Sequence, residues 1–417
     1  CISHNFYGRP SEDIAVIGVT GTNGKTTTSY LIKSILETWE KRAGLIGTIR
    51  YIVGDAAYPA LHTTPESLEF QGLLSKMASS GCGYVVAEVS SHSLSQKRVD
   101  YTRFVVVVFT NLTRDHLDFH LTMADYYKAK ERLFTELLPA TGTAVINADD
   151  EWGRKLMKHL EGRIEHRSNH GTPSLITYGI DRKADITGRD MEDSLSGISL
   201  TLSYRDKSFS VVSPLFGAPN AYNILAAASA GIALGVPVEA IQEGIKKVTH
   251  IKGRLEKVDV GQDFLCLIDY AHTPDALERL LSTARAFLKK NAVPGRVIAL
   301  FGCGGDRDRG KRPVMGEIAT RLSDYAIITS DNPRSEDPME IITQIVSGVS
   351  GDGYRVIPNR REAIALGVEM VVPGDIFLIA GKGHEEYQEI KGVRHPFSDR
   401  EIAEHAIRNK MRGYRAL

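Results

Sequence analysis

The run Thr20-Gly21-Thr22-Asn23-Gly24-Lys25-Thr26-Thr27 has the residue types needed to hold a polyphosphate. Gly21 and Gly24 let backbone N–H groups curl around phosphate oxygens, and the start of a helix adds partial positive charge there. Lys25 is placed to reach the β- and γ-phosphates, and the Thr26 hydroxyl suits Mg2+. The usual pattern has a glycine five residues before Gly24; that position is Val19, with Gly18 one residue earlier, so the loop is a variant. Alone it specifies a nucleotide and no reaction. Glu88, at the end of an apolar run, stands where metal-bound carboxylates are often found.

A loop of this kind works only between a strand and a helix. The apolar run at residues 14–19 and a helix-like stretch at 25–40 supply both. Further apolar runs at 84–87, 104–109 and 144–146 alternate with helical stretches at 67–77 and 124–137, which predicts an α/β domain with a largely parallel sheet. Residues 174–214 change to short alternating segments that predict a smaller antiparallel sheet, followed by helices at 221–234 and 238–247. A second α/β series, Rossmann-like, starts near Lys257. Its strands are expected at 264–268, 297–301, 325–329 and 376–379, and its helices at 275–289, 312–321 and 339–349. The boundary is placed at Ile251-Lys252-Gly253-Arg254, giving domains 1–250 and 251–417. No internal repeat or low-complexity tract interrupts the chain.

Bulk properties narrow the class. The 417 residues, 42% hydrophobic, are ample for two folded cores. Lys+Arg and Asp+Glu both number 51, so the basic footprint of a nucleic-acid binder is missing. No apolar run is long enough to span a bilayer. Cys1, Cys82, Cys266 and Cys303 fit neither a zinc motif nor a disulfide scaffold, and are expected to be reduced thiols of a cytoplasmic protein.

Four further motifs follow the phosphate loop in order: Glu88-Val89-Ser90-Ser91-His92, Asn111-Leu112-Thr113-Arg114-Asp115-His116, Asp269-Tyr270-Ala271-His272-Thr273-Pro274 and Asp331-Asn332-Pro333-Arg334. With the loop they resemble the Mur ligases, and within them the MurE type. The resemblance runs from about Phe6 to the C-terminus. It implies an ATP-dependent amide-bond ligase that adds an amino acid to UDP-N-acetylmuramoyl-L-alanyl-D-glutamate through an acyl phosphate, in peptidoglycan synthesis. It also implies an ATP-binding central domain and an amino-acid-binding last domain. The family's N-terminal, UDP-binding domain would lie upstream of Cys1, and without it the UDP-linked substrate should bind poorly. No membrane span is expected, and a monomer is.

The resemblance assigns roles residue by residue. Thr26, Glu88 and His116 would ligate Mg2+, joined by Lys130 once CO2 has converted it to a carbamate; Lys25, Glu88, His116 and Lys130 form the catalytic set. Taken without the family, His116 reads as a capping or core histidine, and Lys130, like Lys128, as a solvated helix lysine. Gly21, Thr22, Asn23, Gly24, Lys25, Thr26, Thr27, Asn111, Asn220, Asn223, Arg254 and Asp269 match positions around ATP, though Asn223 also reads as a plain helix residue. Thr63, Thr64, Ser90, Gln96 and Arg98 match contacts to the muramoyl dipeptide.

Arg334 matches the family position that goes with meso-diaminopimelate; lysine-adding members lack this arginine. The chemistry agrees. Diaminopimelate carries a second carboxylate that a guanidinium binds through two parallel hydrogen bonds, whereas the terminal ammonium of lysine would be repelled. Arg307, Asp331, Asn332, Gly381 and Glu385 match the rest of that pocket. The bland alternative is that Arg307 and Arg334 merely pair with neighbouring acids such as Asp306 or Glu336. Competing functions are a lysine-adding ligase, a folylpolyglutamate synthase-like ligase, and a catalytically silent ATP-binding scaffold.

Overall fold

The computed structural model describes residues 2–166, 173–194, 196–292 and 294–415. The chain divides into two compact units, residues 1–249 and 250–417. Among the described residues no helix is long and apolar enough to cross a membrane. Cys82, Cys266 and Cys303 are buried free thiols; Cys1 lies outside the described residues.

The first unit is built, among the described residues, on an eleven-stranded sheet of order β11-β10-β9-β8-β7-β6-β1-β5-β2-β3-β4. Its centre is β1 (Ala15–Thr20), flanked in parallel by β5 (Tyr84–Glu88) and β6 (Phe104–Phe109). β2 (Ala43–Ile46), β7 (Thr143–Asn147) and β8 (Ser174–Gly179) extend the parallel part. These strands are almost continuously apolar because helices cover both faces of such a sheet. β1 and β6 are buried nearly throughout, and each enclosed Val, Ile or Leu contributes about 1.5–3 kcal/mol over exposure. β9 (Ile186–Ser194), β10 (Gly197–Tyr204) and β11 (Lys207–Ser213) form the antiparallel part, carried on the edge of the parallel strands. β3 (Arg50–Val53) and β4 (Ala56–Pro59) make an antiparallel wing at the other edge.

Helix Lys25–Thr38 packs against the alanine-rich helix Ala218–Ala233. The stretch expected as one helix over 124–137 is helix Met123–Arg132 followed by a π-helical turn, Leu133–Leu137. The wider turn carries both Leu133 and Phe134 into the core.

The second unit has a six-stranded sheet among the described residues, of order β12-β13-β17-β14-β15-β16. β12 (Glu256–Val258) is antiparallel to β13 (Leu265–Asp269), and β14 (Val297–Phe301), β15 (Tyr325–Ile328), β16 (Tyr354–Val356) and β17 (Ile376–Ala380) are parallel. The helix starts follow from local chemistry. Thr273 caps helix Pro274–Lys290 by accepting from Ala276 N, with Pro274 in the first turn. Asp337 and Asn359 cap helices Pro338–Val346 and Arg360–Met370 in the same way. A separate hairpin, β18 (Tyr387–Ile390) and β19 (Val393–Pro396), follows β17.

Candidate functional site

In the first unit, three neighbouring strands end at one edge of the sheet. Val19 on β1 is in register with Glu88 on β5, and Thr20 with Phe109 on β6. The phosphate loop, Glu88 and the 110–113 segment therefore leave the sheet side by side. Gly21 and Gly24 have φ of 148° and 87°, and a Cβ on them would collide with Thr110 Oγ1 and Asn223 Oδ1 respectively. Only glycine fits both positions.

Asn111 shapes the loop from beside it. Its Oδ1 accepts from Asn23 N at 3.0 Å, its Nδ2 donates to Asn23 O at 3.1 Å, and its carbonyl accepts from Thr22 N at 2.8 Å. Thr22 Oγ1 accepts from Thr113 N and lies 3.0 Å from Tyr126 Oη. Asn220 and Asn223 are buried beneath the loop: Asn223 Nδ2 donates to Asn220 Oδ1, and its Oδ1 accepts from Thr28 Oγ1. Thr27 is buried as well. In this structure Lys25 Nζ donates to the carbonyls of Gly21 (2.9 Å) and Thr22 (2.8 Å), so binding a phosphate means exchanging these bonds.

Glu88 is fully buried. Its Oε2 accepts from Thr26 Oγ1 and Thr48 Oγ1, both at 2.9 Å, and its Oε1 from Thr48 N at 2.9 Å. A buried carboxylate ringed by hydroxyl oxygens fits Mg2+, which prefers oxygen donors and keeps several of its waters. His116 is placed differently. Its φ is 53°, its Nε2 is 3.4 Å from Asp115 Oδ2, and its ring meets that of His92 edge-on at 4.7 Å. Burial holds its imidazole neutral, down to about 4, which leaves a lone pair for a metal. Among the described residues, however, no three His, Cys, Asp or Glu side chains stand together as a metal cage.

Lys130 is 1% exposed, while Lys128 is exposed. Lys130 Nζ donates to Gly21 O at 2.8 Å and lies 3.5 Å from Thr20 Oγ1. Burial, and then the nearby Lys25 charge, push its ammonium well below the usual lysine range, with Asp115 opposing.

Four of the five dipeptide-contact candidates converge on the same edge. Thr64 Oγ1 donates to Glu88 O at 2.7 Å and accepts from Ser90 N at 3.0 Å; Arg98 Nη1 donates to Thr64 O at 3.0 Å. Thr63 Oγ1 is 3.1 Å from Thr48 Oγ1. Arg98 also pairs with Glu66 at 2.8 Å. Gln96 is exposed, and its side chain has no hydrogen bond among the described residues. Thr48, which joins Glu88 to Thr63, escapes the sequence reading; the only local signal is its place just after the apolar β2.

In the second unit the C-terminal ends of adjacent strands again gather the candidates. Asp269, ending β13, has both oxygens occupied: Oδ1 accepts from Ala271 N and Oδ2 from Leu255 N, each at 2.8 Å. Burial raises its carboxyl, against the pull of Arg254. Arg254 lies over the Tyr270 ring at 5.0 Å, and its buried Nε has no hydrogen-bond partner among the described residues.

The ends of β17, β14 and β15 bring together Gly381–Glu385 (residues 381–385), the 304–307 loop and the 331–336 turn. Asn332 Nδ2 donates to Glu385 Oε2 at 2.7 Å, and Asp331 Oδ1 accepts from Asn332 N at 2.6 Å. Gly381 packs on Asp331, where a side chain would crowd Oδ2. Arg334 has φ 51°, and the hairpin grips its backbone: Arg334 N donates to Glu389 O and Lys391 N to Arg334 O. Its Nη1 donates to Gly305 O at 2.7 Å.

Neither acid weighed as a neutralising partner pairs with Arg307 or Arg334. Asp306 accepts from Ser335 N and Oγ. Glu336 is held by Arg312 through two 2.9 Å bonds, with Arg309 at 3.2 Å. Arg334 Nε has a looser neighbour that the sequence reading did not weigh, Glu389 Oε2 at 3.9 Å. Arg307 is exposed and donates to Asp306 O.

Residues 19–231 match the Mur ligase middle domain, and residues 253–383 the domain described as "Mur ligase, glutamate ligase domain". A protein of Geobacter metallireducens named UDP-N-acetylmuramoyl-L-alanyl-D-glutamate–2,6-diaminopimelate ligase is 45% identical, over 97% of this chain and 80% of its own length. The chain belongs to the Mur ligase family. A Bacillus cereus relative of the same name is 44% identical to this Mur ligase, with the same coverages. A solved structure of that name aligns with TM-score 0.68 and 38% identity, over 95% of this chain and 79% of the other. Mycobacterium tuberculosis folylpolyglutamate synthase, solved with ADP, aligns with TM-score 0.71 at 18% identity, over 91% of each chain, which is a likeness of fold alone. The family match makes the chain an ATP-dependent ligase and sets aside the silent-scaffold reading.

Proposed function

We propose that this Mur ligase joins meso-2,6-diaminopimelate to UDP-N-acetylmuramoyl-L-alanyl-D-glutamate at the expense of ATP. The observation that carries the choice of amino acid is Arg334: it is fixed at the turn after β15, while the nearby Glu336 is committed to Arg312. Arg334, helped by Arg307, binds the distal carboxylate of diaminopimelate, and Glu385 with Asn332, Asp331 and Gly381 receives the ammonium on the same end. Relatives of 42–45% identity named for this reaction support the reading.

In the first unit the chemistry is cationic, because phosphorylating a carboxylate brings like charges together. The backbone of Gly21, Thr22, Asn23 and Gly24 wraps the phosphates, with Asn111, Asn220 and Asn223 holding the loop in shape and Thr27 buried behind it. Lys25 leaves its loop carbonyls to meet the γ-phosphate. Thr26 and Glu88, with His116, would hold Mg2+, which when bound neutralises phosphate charge. Lys130 adds its neutral amine to CO2, forming an N–C bond and releasing a proton, so that a neutral amine becomes an anionic carbamate. Thr63, Thr64, Ser90, Gln96 and Arg98 orient the dipeptide so that its free carboxylate attacks the γ-phosphorus and displaces ADP. The amine of the amino acid then attacks the acyl phosphate, and phosphate leaves. In the second unit, Arg254 supplies a guanidinium suited to phosphates and Asp269 a carboxylate suited to ribose hydroxyls.

The test is phosphate release with diaminopimelate or lysine as acceptor. Diaminopimelate should be the better substrate. Arg334→Ala should raise its KM by about 30-fold, the equivalent of about 2 kcal/mol for a lost charge-assisted pair, and leave the KM for ATP unchanged. A preference of the intact enzyme for lysine would sink the specificity, and an unchanged KM in the variant would sink the role of Arg334.

A further inference from the structure

Lys382 lies between the two glycines that follow β17, and its side chain is 0% exposed. Its Nζ donates to Asn332 Oδ1 at 2.9 Å and to Glu385 Oε2 at 3.2 Å, over the face of Tyr387. Asn332 Oδ1 also accepts from Glu389 N at 3.0 Å. Two donors on this oxygen settle which way the amide faces; turned over, its NH2 would confront an ammonium and an N–H. Nδ2 is therefore directed to Glu385 Oε2. Both side-chain bonds to Glu385 fall on Oε2, and among the described residues nothing hydrogen-bonds to Oε1.

We propose that Lys382 is a positioning residue for amino-acid selection: directly and through Asn332 it locks Glu385 so that Oε1 is presented to the distal ammonium of the incoming diamino acid. This rests on the reading that the second unit receives diaminopimelate. Neutral hydrogen bonding would orient a glutamine equally well, so the charge of Lys382 needs its own reason. Glu385 is half-buried, and burial raises its carboxyl; Lys382 opposes this, while the Asp331 charge raises it further. The other charged and titratable groups acting there are Arg360, Tyr270 and Tyr387. Arg360 is committed to Asp399 through bonds of 2.8 and 2.7 Å. Lys382 is thus the cation that hydrogen-bonds Glu385 and keeps it an anion fit to receive an ammonium.

The experiment measures kcat and KM for diaminopimelate, and KM for ATP, in the ligase and in Lys382→Met. It runs from about pH 6 to about pH 8, with the parent ligase measured over the same range to report any loss of the substrate's own α-ammonium. The variant should show a KM for diaminopimelate raised by about tenfold or more at the lower pH, as for a lost charge-assisted bond. That KM should fall as rising pH ionises Glu385, with kcat and the KM for ATP unchanged. Lys382→Gln, which keeps a donor to Asn332 without the charge, should show the same pH slope and a smaller rise. A KM equal to that of the parent, or raised by one constant factor at every pH, would overturn the proposal. So would failure of both variants to fold, which would make Lys382 a structural residue. A parent enzyme that rejects diaminopimelate would instead overturn the functional reading.

Discussion

Two lysines share one carbonyl. Lys25 and Lys130 both donate to Gly21 O, at 2.9 and 2.8 Å, and the Lys25 charge disfavours that of Lys130. The buried one, Lys130, gives way and tends to the neutral amine, the form that adds CO2. With 13C-labelled bicarbonate, a carbamate resonance should appear in the 13C NMR spectrum of the protein. It should persist in Lys128→Met and vanish in Lys130→Met; a signal surviving Lys130→Met would refute the modification at this residue. Spacing alone did not separate these lysines. Lys128 and Lys130 sit two residues apart on one helix, and opposite burial follows from which of them is turned to the phosphate loop. The phosphate loop was legible because its chemistry is local. Thr48 was not, because its bond to Glu88 depends on β2 pairing with β5 far along the chain.

At the scale of elements, the amino-acid-binding candidates depend on a strut. Arg312, 0% exposed, grips Glu336, 8% exposed, and also donates to Gly304 O and Gln344 Oε1. Glu336 in turn accepts from Asp306 N. The strut therefore ties the 304–307 loop to the 331–336 turn. The hydrogen-bonded Arg312 holds the Glu336 carboxyl down to about 2 from an ordinary 4.5. A depressed carboxyl contributes stability that is complete above its unfolded value and lost as pH falls through its folded one. The strut should then be intact above pH 4.5 and fail as pH drops from 4.5 towards 2. Glu336→Gln should cost about 3 kcal/mol near neutrality, since it leaves a buried guanidinium uncompensated, and should flatten that limb of an acid-unfolding curve. An acid limb identical to that of the parent would remove the strut from the account. The long apolar strands β1, β6, β14 and β17 were legible as strands. Short β2, β3, β4, β12 and β16 were not, being three or four residues each. Helix Asp399–Arg415 hides its pattern among charges, with Ile402, Ala403 and Ile407 buried at helical spacing in the core.

At the scale of the molecule, each unit carries its own hydrophobic cluster. The first includes Val16, Val107 and Phe134, and the second Ile268, Leu300 and Phe377. A unit with a separate core folds as a domain. Residues 250–417, expressed alone, should unfold in one cooperative thermal transition by circular dichroism; a gradual, non-cooperative melt would show that the second core is incomplete by itself. The α/β class of both units was legible from alternation of apolar runs with helical stretches. The placing of β9, β10 and β11 on the edge of the parallel strands was not, because it hinges on two residue pairs between β8 and β9.

The hydrogen bonds by which the hairpin holds Arg334 are made of main-chain atoms, Glu389 O and Lys391 N. A grip of that kind is blind to the side chain it presents. Evolution can rewrite position 334 without dismantling the turn, most cheaply with residues such as asparagine or glycine that accept a positive φ. Glu88, by contrast, is locked by Thr26 and Thr48 in a buried net, where any exchange disturbs several partners at once. A lineage built on this scaffold would keep its energy-coupling chemistry frozen while its diet drifts, one solvent-edge residue at a time.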